Sequence, residues 1–190
     1  MPDCPICVCD ANVLYPAQLR DFLMRLALGE VFQAHWSERI HEEWTRNVHA
    51  DYPDITWEDL QRIRELMNGA LPRALVTGHE DRIEDLSLPD PSDRHVLAAA
   101  IDARADCIVT FNVRDFPAAE LETWGIEATR PDELARGLFD QDPDAIVEVA
   151  ATHRRSLTRP SKSPDEYLQL LGGCGLEETA RLLRKYPGRI

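Results

Sequence analysis

DPSDRHVLAAAIDARADCIVTFNVRDFP, residues 90–117, is the stretch that decides the fold. Asp90 suits a helix N-cap, Pro91 the first helical position and Asp93 the third. The apolar run behind them predicts a helix to about Arg104. Cys107 to Phe111 is apolar and rich in β formers, so it reads as a strand, and Asn112, Asp115 and Pro117 mark the turn after it. Acids in a first turn complement the helix dipole, and turns favour Asp and Asn. Taken alone, the stretch specifies structure and leaves its chemistry open.

The same alternation extends to both sides. Pro5 to Cys9 predicts a strand ending at Asp10. From Leu19, the residues Phe22, Leu23, Leu26 and Ala27 recur at helical spacing up to Gly29. Val31 to Trp36 reads as a second strand or a turn, and Ser37 caps a helix running to about Ala50. A helix over Trp57 to Ala70 and a strand over Ala74 to Thr77 follow, while Glu80 to Asp85 fits more than one element. Ile126 to Thr129 is the last strand pattern, and Pro131 opens another helix. Strands separated by helices imply a parallel sheet between helical layers. Beyond Asp140 only helical patterns occur: Ala145 to Arg155, Asp165 to Leu171 and Leu176 to Lys185, with a basic Pro/Ser linker over Thr158 to Pro164. The expected organisation is an α/β domain over residues 1–140 and a small all-helical extension over 141–190.

Composition narrows the class. A chain of 190 residues buries a core without disulfide or metal staples. Cys4, Cys7 and Cys9 crowd one end, but no second pair of ligands accompanies them, so they read as small buried thiols rather than a zinc knuckle. No apolar run reaches the ~20 residues of a membrane helix. Met1 to Asp10 lacks a basic segment followed by a long apolar one, so the cytoplasm is the expected compartment and no membrane partner is expected. The net charge of −13 argues against a broad basic nucleic-acid surface. The first 129 residues carry 24 of the 34 acids but 11 of the 21 bases, and the last 61 carry ten of each. The excess acid thus belongs to the α/β part, either as a solvated surface or as carboxylates gathered around a cation.

Topology bears on that choice. In open parallel sheets, ligands sit beyond the carboxyl ends of the strands. Asp10 lies at that end of the first strand, and Asn112 and Asp115 lie past the same end of the Cys107–Phe111 strand. Asp93 comes from a helix start. On the helix from Ser37, Ile40, Trp44 and Val48 form the buried stripe. Glu43 lies about 100° from the centre of that stripe and Glu42 about 160°. Glu43 is therefore placed to reach a cleft, or to pair with Arg39 or Arg46, and Glu42 faces solvent. Two like charges ~4 Å apart repel by about 4 kcal/mol at an effective dielectric near 20. Were Asp10, Glu43, Asp93 and Asp115 to meet, either some would keep their protons or divalent cations would join them. Hard carboxylate oxygens favour Mg2+ or Mn2+ over zinc. Such ions activate water against a phosphodiester with no need of a catalytic His, Ser or Cys.

This pattern resembles a PIN domain. The residues that carry the resemblance are Asp10-Ala-Asn12, Glu43, Asp93-Arg-His-Val-Leu-Ala-Ala-Ala and Thr110-Phe-Asn112-Val-Arg-Asp115-Phe116-Pro117, within roughly residues 5–140. The resemblance implies an α/β/α sandwich around a parallel sheet and Mg2+-dependent (or Mn2+-dependent) endonucleolytic cleavage of RNA. Small proteins of this kind are commonly VapC-like toxins of type II toxin–antitoxin pairs, silenced by a cognate antitoxin. By the resemblance, Asp10, Glu43, Asp93 and Asp115 are the metal-binding catalytic acids. Asn12, Thr110 and Asn112 position them, and Asp90 supports them in competition with its capping role. The tail is similar to the helical C-terminal extension of one VapC-like subgroup. Its basic cluster, Arg154, Arg155, Arg159 and Lys162, offers phosphate contacts to RNA, or else serves as a solvated helix end. The sequence is compatible with a homodimer and does not specify one. A haloacid-dehalogenase-type phosphatase would need a second Asp where Asn12 stands. A non-catalytic PIN-fold module that binds protein or RNA is the alternative function, and a DNA-directed nuclease is chemically close.

Overall fold

A computed structural model describes residues 4–190 of the chain; Met1 to Asp3, the first residues of the stretch read for a leader, lie outside the described residues. In chain order the elements are β1 (Ile6–Cys9), α1 (Ala11–Leu14), α2 (Ala17–Leu28), β2 (Gln33–Ser37), α3 (Glu38–Asp51), α4 (Trp57–Ala70), β3 (Leu75–Val76), α5 (Arg94–Asp102), β4 (Cys107–Val109), α6 (Ala118–Leu121), β5 (Glu127–Thr129), α7 (Pro131–Gln141), α8 (Pro143–Ser156), α9 (Pro164–Gly173) and α10 (Glu177–Leu183). The five strands form one parallel sheet in the order β3-β2-β1-β4-β5. The chain starts at the centre, builds outward through β2 and β3, then returns to build the other half through β4 and β5. For parallel strands joined by right-handed crossovers, as is the rule, that order puts the helices of the two halves on opposite faces of the sheet. The result is a three-layer α/β/α sandwich with a helical C-terminal region.

Ser37 ends β2 and caps α3 in one residue, its Oγ accepting from the Ile40 N–H at 3.3 Å. The helix expected over Asp90 to Arg104 is two pieces. A tight 3-10 turn over Pro91–Asp93 precedes α5 because Asp90 accepts from the Ser92 N–H and turns the chain sharply. The strand expected over Cys107 to Phe111 stops at Val109. Its ladder ends at Thr110 because the next two N–H groups turn inward, Phe111 to Asn12 Oδ1 and Asn112 to Thr110 Oγ1. The stretch Glu80–Asp85, open in the sequence, is a 3-10 helix.

In α5 every residue from His95 to Ala100 is buried. Ala98, Ala99 and Ala100 let this helix lie close on β1, β2 and β4, which carries Asp93 and His95 to the carboxyl edge of the sheet. Cys7, Cys9 and Cys107 are buried between strands, Cys4 and Cys174 are half-buried, and all five are free thiols. Burial pushes the thiols of Cys7 and Cys9 well above their usual range, with the Cys107 hydrogen bond as the largest cause for Cys7. These thiols are packing residues.

The C-terminal helices are fastened to the sandwich at three places. The wholly buried His153 on α8 lies 3.4 Å from Asp21 of α2 and 3.1 Å from the Tyr167 hydroxyl of α9. Gly175, at φ +83°, lets the α9–α10 turn close on Phe111, where a Cβ would stand 2.8 Å from Cε1. The third fastening is a borrowed helix cap. Leu176 precedes α10 and has no oxygen to offer, so Asp132 of α7 accepts from the N–H groups of Glu178 (2.8 Å) and Thr179 (2.9 Å) and from the Thr179 hydroxyl (2.7 Å). Asp132→Ala is expected to destabilise the chain by about 1–2 kcal/mol. The loosening should appear in hydrogen exchange as faster amides in α9 and α10 with β1 and β4 unchanged. Uniform protection across the chain would refute the borrowed cap.

Candidate metal centre

The reversal of strand order falls between β1 and β4, and such a reversal opens a crevice at the carboxyl edge of a parallel sheet. Asp10 leaves β1 into that crevice, and Thr110 leaves β4 beside it. Asp10 is 5 % exposed and fully bonded. Its Oδ1 accepts from the Ala11 N–H at 2.6 Å, and its Oδ2 accepts from the Thr110 hydroxyl at 2.7 Å and from Asn12 Nδ2 at 2.6 Å. Asn12 also donates to Thr110 Oγ1 at 2.9 Å and accepts from the Phe111 N–H at 3.0 Å. A carboxylate facing three donors cannot turn freely.

Glu43 reaches the same edge from α3. Its partner is His95, with Nε2 3.3 Å from Oε2, rather than Arg39 or Arg46. Glu42 is exposed and Glu43 is half-buried, so the two adjacent acids face different surroundings. Asp93 closes the 3-10 turn before α5, and Asp115 closes the turn after β4. Neither side chain has a hydrogen-bond or ion-pair partner among the described residues. Asp90 stands apart in function: both its bonds run to Ser92, from the N–H at 2.8 Å and from Oγ at 2.7 Å, and they hold its carboxyl below the usual range. It caps the turn. Asn112 contributes its backbone N–H to Thr110, and its side chain is exposed.

The charges of these acids act on one another. Burial first, then Asp10, Asp90, Asp115 and Glu43, push the Asp93 carboxyl up to about 7. Burial raises Asp10 too, and Glu43 adds to it, while the bonds from Thr110 and Ala11 and the His95 ring pull the other way. The structure therefore brings Asp10, Glu43, Asp93 and Asp115 into one electrostatic neighbourhood. It does not close them into a coordination sphere: among the described residues no three His, Cys, Asp or Glu side chains stand at ligand spacing. Four carboxylates in mutual repulsion, one of them lifted to about 7, are hard oxygen donors of the kind that suit a divalent cation.

The basic cluster of the tail is partly engaged within the tail itself. Arg154 Nη1 donates to the Lys162 carbonyl at 2.8 Å, and Arg155 donates to Thr152 Oγ1 at 3.1 Å, with Arg159 exposed and Lys162 half-buried. His95 is a site residue that pattern reading did not assign. The available signal was a lone imidazole inside an apolar helix, a buried polar group that must find a partner.

Residues 7–114 match the PIN domain family, and residues 131–185 match the VapC50 C-terminal domain family. Over 117 residues the chain is 32% identical to a protein of Mycobacterium tuberculosis (strain ATCC 25618 / H37Rv) named "Putative ribonuclease VapC50", an alignment covering 62% of this chain and 69% of that one. No solved structure matches significantly. With a family match that spans the β1–β4 crevice and more than half of its residues, the chain belongs to the PIN domain family, and its C-terminal helices carry the VapC50 C-terminal domain.

Proposed function

We propose that the chain is a Mg2+-dependent (or Mn2+-dependent) endoribonuclease, the toxin of a toxin–antitoxin pair, working in the cytoplasm and silenced by a cognate antitoxin. The observation that carries the nuclease reading is the neighbourhood of Asp10, Glu43, Asp93 and Asp115 at the β1–β4 crevice, where Asp93 is lifted to about 7. RNA as the substrate is supported by the relative named a ribonuclease. The antitoxin is supported by the resemblance to VapC-like toxins. The proposed units are a nuclease domain over residues 1–140 and a helical extension over 141–190, with α7 packed against both α8 and α10 as their strut.

When bound, the divalent ion would neutralise the acids and supply activation of water for in-line attack on phosphorus. The chain's own residues prepare the place. Thr110, Asn12 and the Ala11 N–H hold Asp10 in one orientation. His95 holds Glu43 by its Nε2. Asp93 and Asp115, free of protein partners among the described residues, can turn toward an ion without breaking a bond.

Incubating the purified chain with total cellular RNA should give fragments in MgCl2, none in EDTA, and fragments again when Mg2+ is restored. Asp10→Asn and Asp93→Asn should slow cleavage by about 100-fold or more. Wild-type rates in either would refute the site. Binding without cutting in both buffers would establish the non-catalytic alternative. Glu43→Ala should resemble the Asp variants, and Glu42→Ala should cut nearly as fast as the unaltered chain; equal losses would contradict the facing of α3.

The raised Asp93 carboxyl sets a pH dependence for the metal-free fold. Below its ordinary value of 3.8 it is protonated both folded and unfolded and adds no penalty. Between 3.8 and about 7 the unfolded chain ionises first, so stability falls as pH rises, and above about 7 the penalty is complete. Asp93→Asn should therefore melt higher than the parent in EDTA, with a gain that grows from pH 4 to pH 7 and then levels off. Adding Mg2+ should raise the melting point of the parent more than that of the variant. A gain independent of pH would show that the charge is not its source.

A further inference from the structure

Two open clefts flank the acids. One, of about 340 Å³, is lined by Arg39, Glu42, Glu43, Arg46, Ser92 and His95 among others. The other, of about 510 Å³, lies on the β4–β5 side and is lined by Phe111, Asn112, Arg114, Asp115, Arg130 and Glu133 among others. Each cleft thus carries one of the four acids, a second glutamate (Glu42 or Glu133) and two arginines. Arg39, Arg46, Arg114 and Arg130 are all exposed, and among the described residues none of the four guanidinium groups makes an ion pair or a hydrogen bond. Arg25, Arg82, Arg136, Arg181 and Arg189, by contrast, are bound to acids. Glu133 shares the second cleft, but its Oε2 already accepts from the Arg130 N–H at 3.1 Å and from the Thr129 hydroxyl at 3.3 Å.

A polyanion meets a difficulty here. The chain carries −13 overall, and the acids that would hold the ion repel phosphate. Neutralising the scissile phosphate does not help the phosphates next to it. Positive charge is needed just outside the acids, on both sides, and this is where the four unengaged guanidinium groups stand. Resting on the nuclease reading above, we propose that the two clefts are halves of one track for single-stranded RNA, with Arg39 and Arg46 holding phosphates on one side of the cut and Arg114 and Arg130 holding them on the other. Phe111 adds a ring for a base on the second side, since stacking on an aromatic ring accepts any base. The strand then crosses the carboxyl edge of the sheet from α3 to α7. Gly175 of the extension supports the Phe111 edge, so the extension shapes one wall of the track.

The test separates binding from cutting. The full chain with Asp10→Asn would be titrated with a short fluorescein-labelled single-stranded RNA of mixed sequence in MgCl2, by anisotropy at several KCl concentrations. Arg39→Gln with Arg46→Gln, and separately Arg114→Gln with Arg130→Gln, should each weaken binding by about tenfold and flatten the salt slope by about 0.7 per arginine removed. Arg73→Gln, at an exposed arginine near the opposite edge of the sheet that has no ion-pair or hydrogen-bond partner among the described residues, should change neither. In the cutting chain the same pairs should raise KM far more than they lower kcat, and thermal melts would confirm that each variant folds. Unchanged binding in both pairs, or an equal loss in Arg73→Gln, overturns the track. A loss confined to variants of Arg154, Arg155, Arg159 and Lys162 also overturns it, by moving the RNA onto the tail. If the four arginines grip RNA but the unaltered chain cuts none, the track stands and the nuclease reading falls. If the chain cuts RNA and the arginines do not matter, the reading stands and the track falls.

Discussion

Asp10 is a carboxylate held in a crevice, and most of the carboxyl edge is arranged around holding it. Its Oδ2 lies 2.7 Å from the Thr110 hydroxyl and 2.6 Å from Asn12 Nδ2, a bond triangle that ties the end of β1 to the end of β4. The triangle exists because the chain reverses its building direction between those strands. The first polar residues past each strand face one another there. The early end of β4 follows from the same bonds, since Thr110 and Asn12 draw the next N–H groups away from the sheet ladder. One local network sets the strand length, the orientation of the deepest acid and the opening of the site.

Around that fixed carboxylate the other acids are held by weaker means, and the difference has a physical reason. Asp10 has donors that offset part of the upward push of burial on its carboxyl. Asp93 has none among the described residues, and its carboxyl rises to about 7 under burial and four neighbouring charges. A group in that condition destabilises the fold in the absence of a cation, and strongly shifted groups of this kind concentrate where chemistry is done. The C-terminal helices sit outside this balance. They are fastened by His153, Gly175 and Asp132, none of which is one of the four acids, and only the Gly175–Phe111 contact leads toward Asp10, by way of Asn12.

Much of the fold was legible because hydrophobic periodicity and caps are local. Trp57 to Ala70 is helical end to end, and Ser37 caps α3 as its side chain predicts. Glu43 was separable from Glu42 because the helix period assigns faces without any knowledge of the partner. What was not legible depends on contacts between distant segments. The α10 cap comes from Asp132, 46 positions before Glu178, and nothing near Leu176 announces it. The pairing of Glu43 with His95 joins two helices, and local spacing pointed instead to Arg39 and Arg46. The cut-off of β4 at Val109 requires Asn12, which lies near the other end of the domain.

The same distinction applies to charge. A net of −13 reads as a reason for RNA to stay away, because a sum carries no positions. Once folded, the chain puts Arg39 and Arg46 of α3 on one flank of the acids and Arg114 and Arg130 on the other, from three segments that sequence order separates. The potential that a phosphate meets within a Debye length of about 8 Å is set by these nearest groups, and the acids on distant surfaces are screened. An acidic protein can therefore offer phosphates a path of unengaged arginines, balanced in charge rather than acidic, beside its most acidic spot. The excess acid elsewhere on the α/β part then works against binding on its other surfaces.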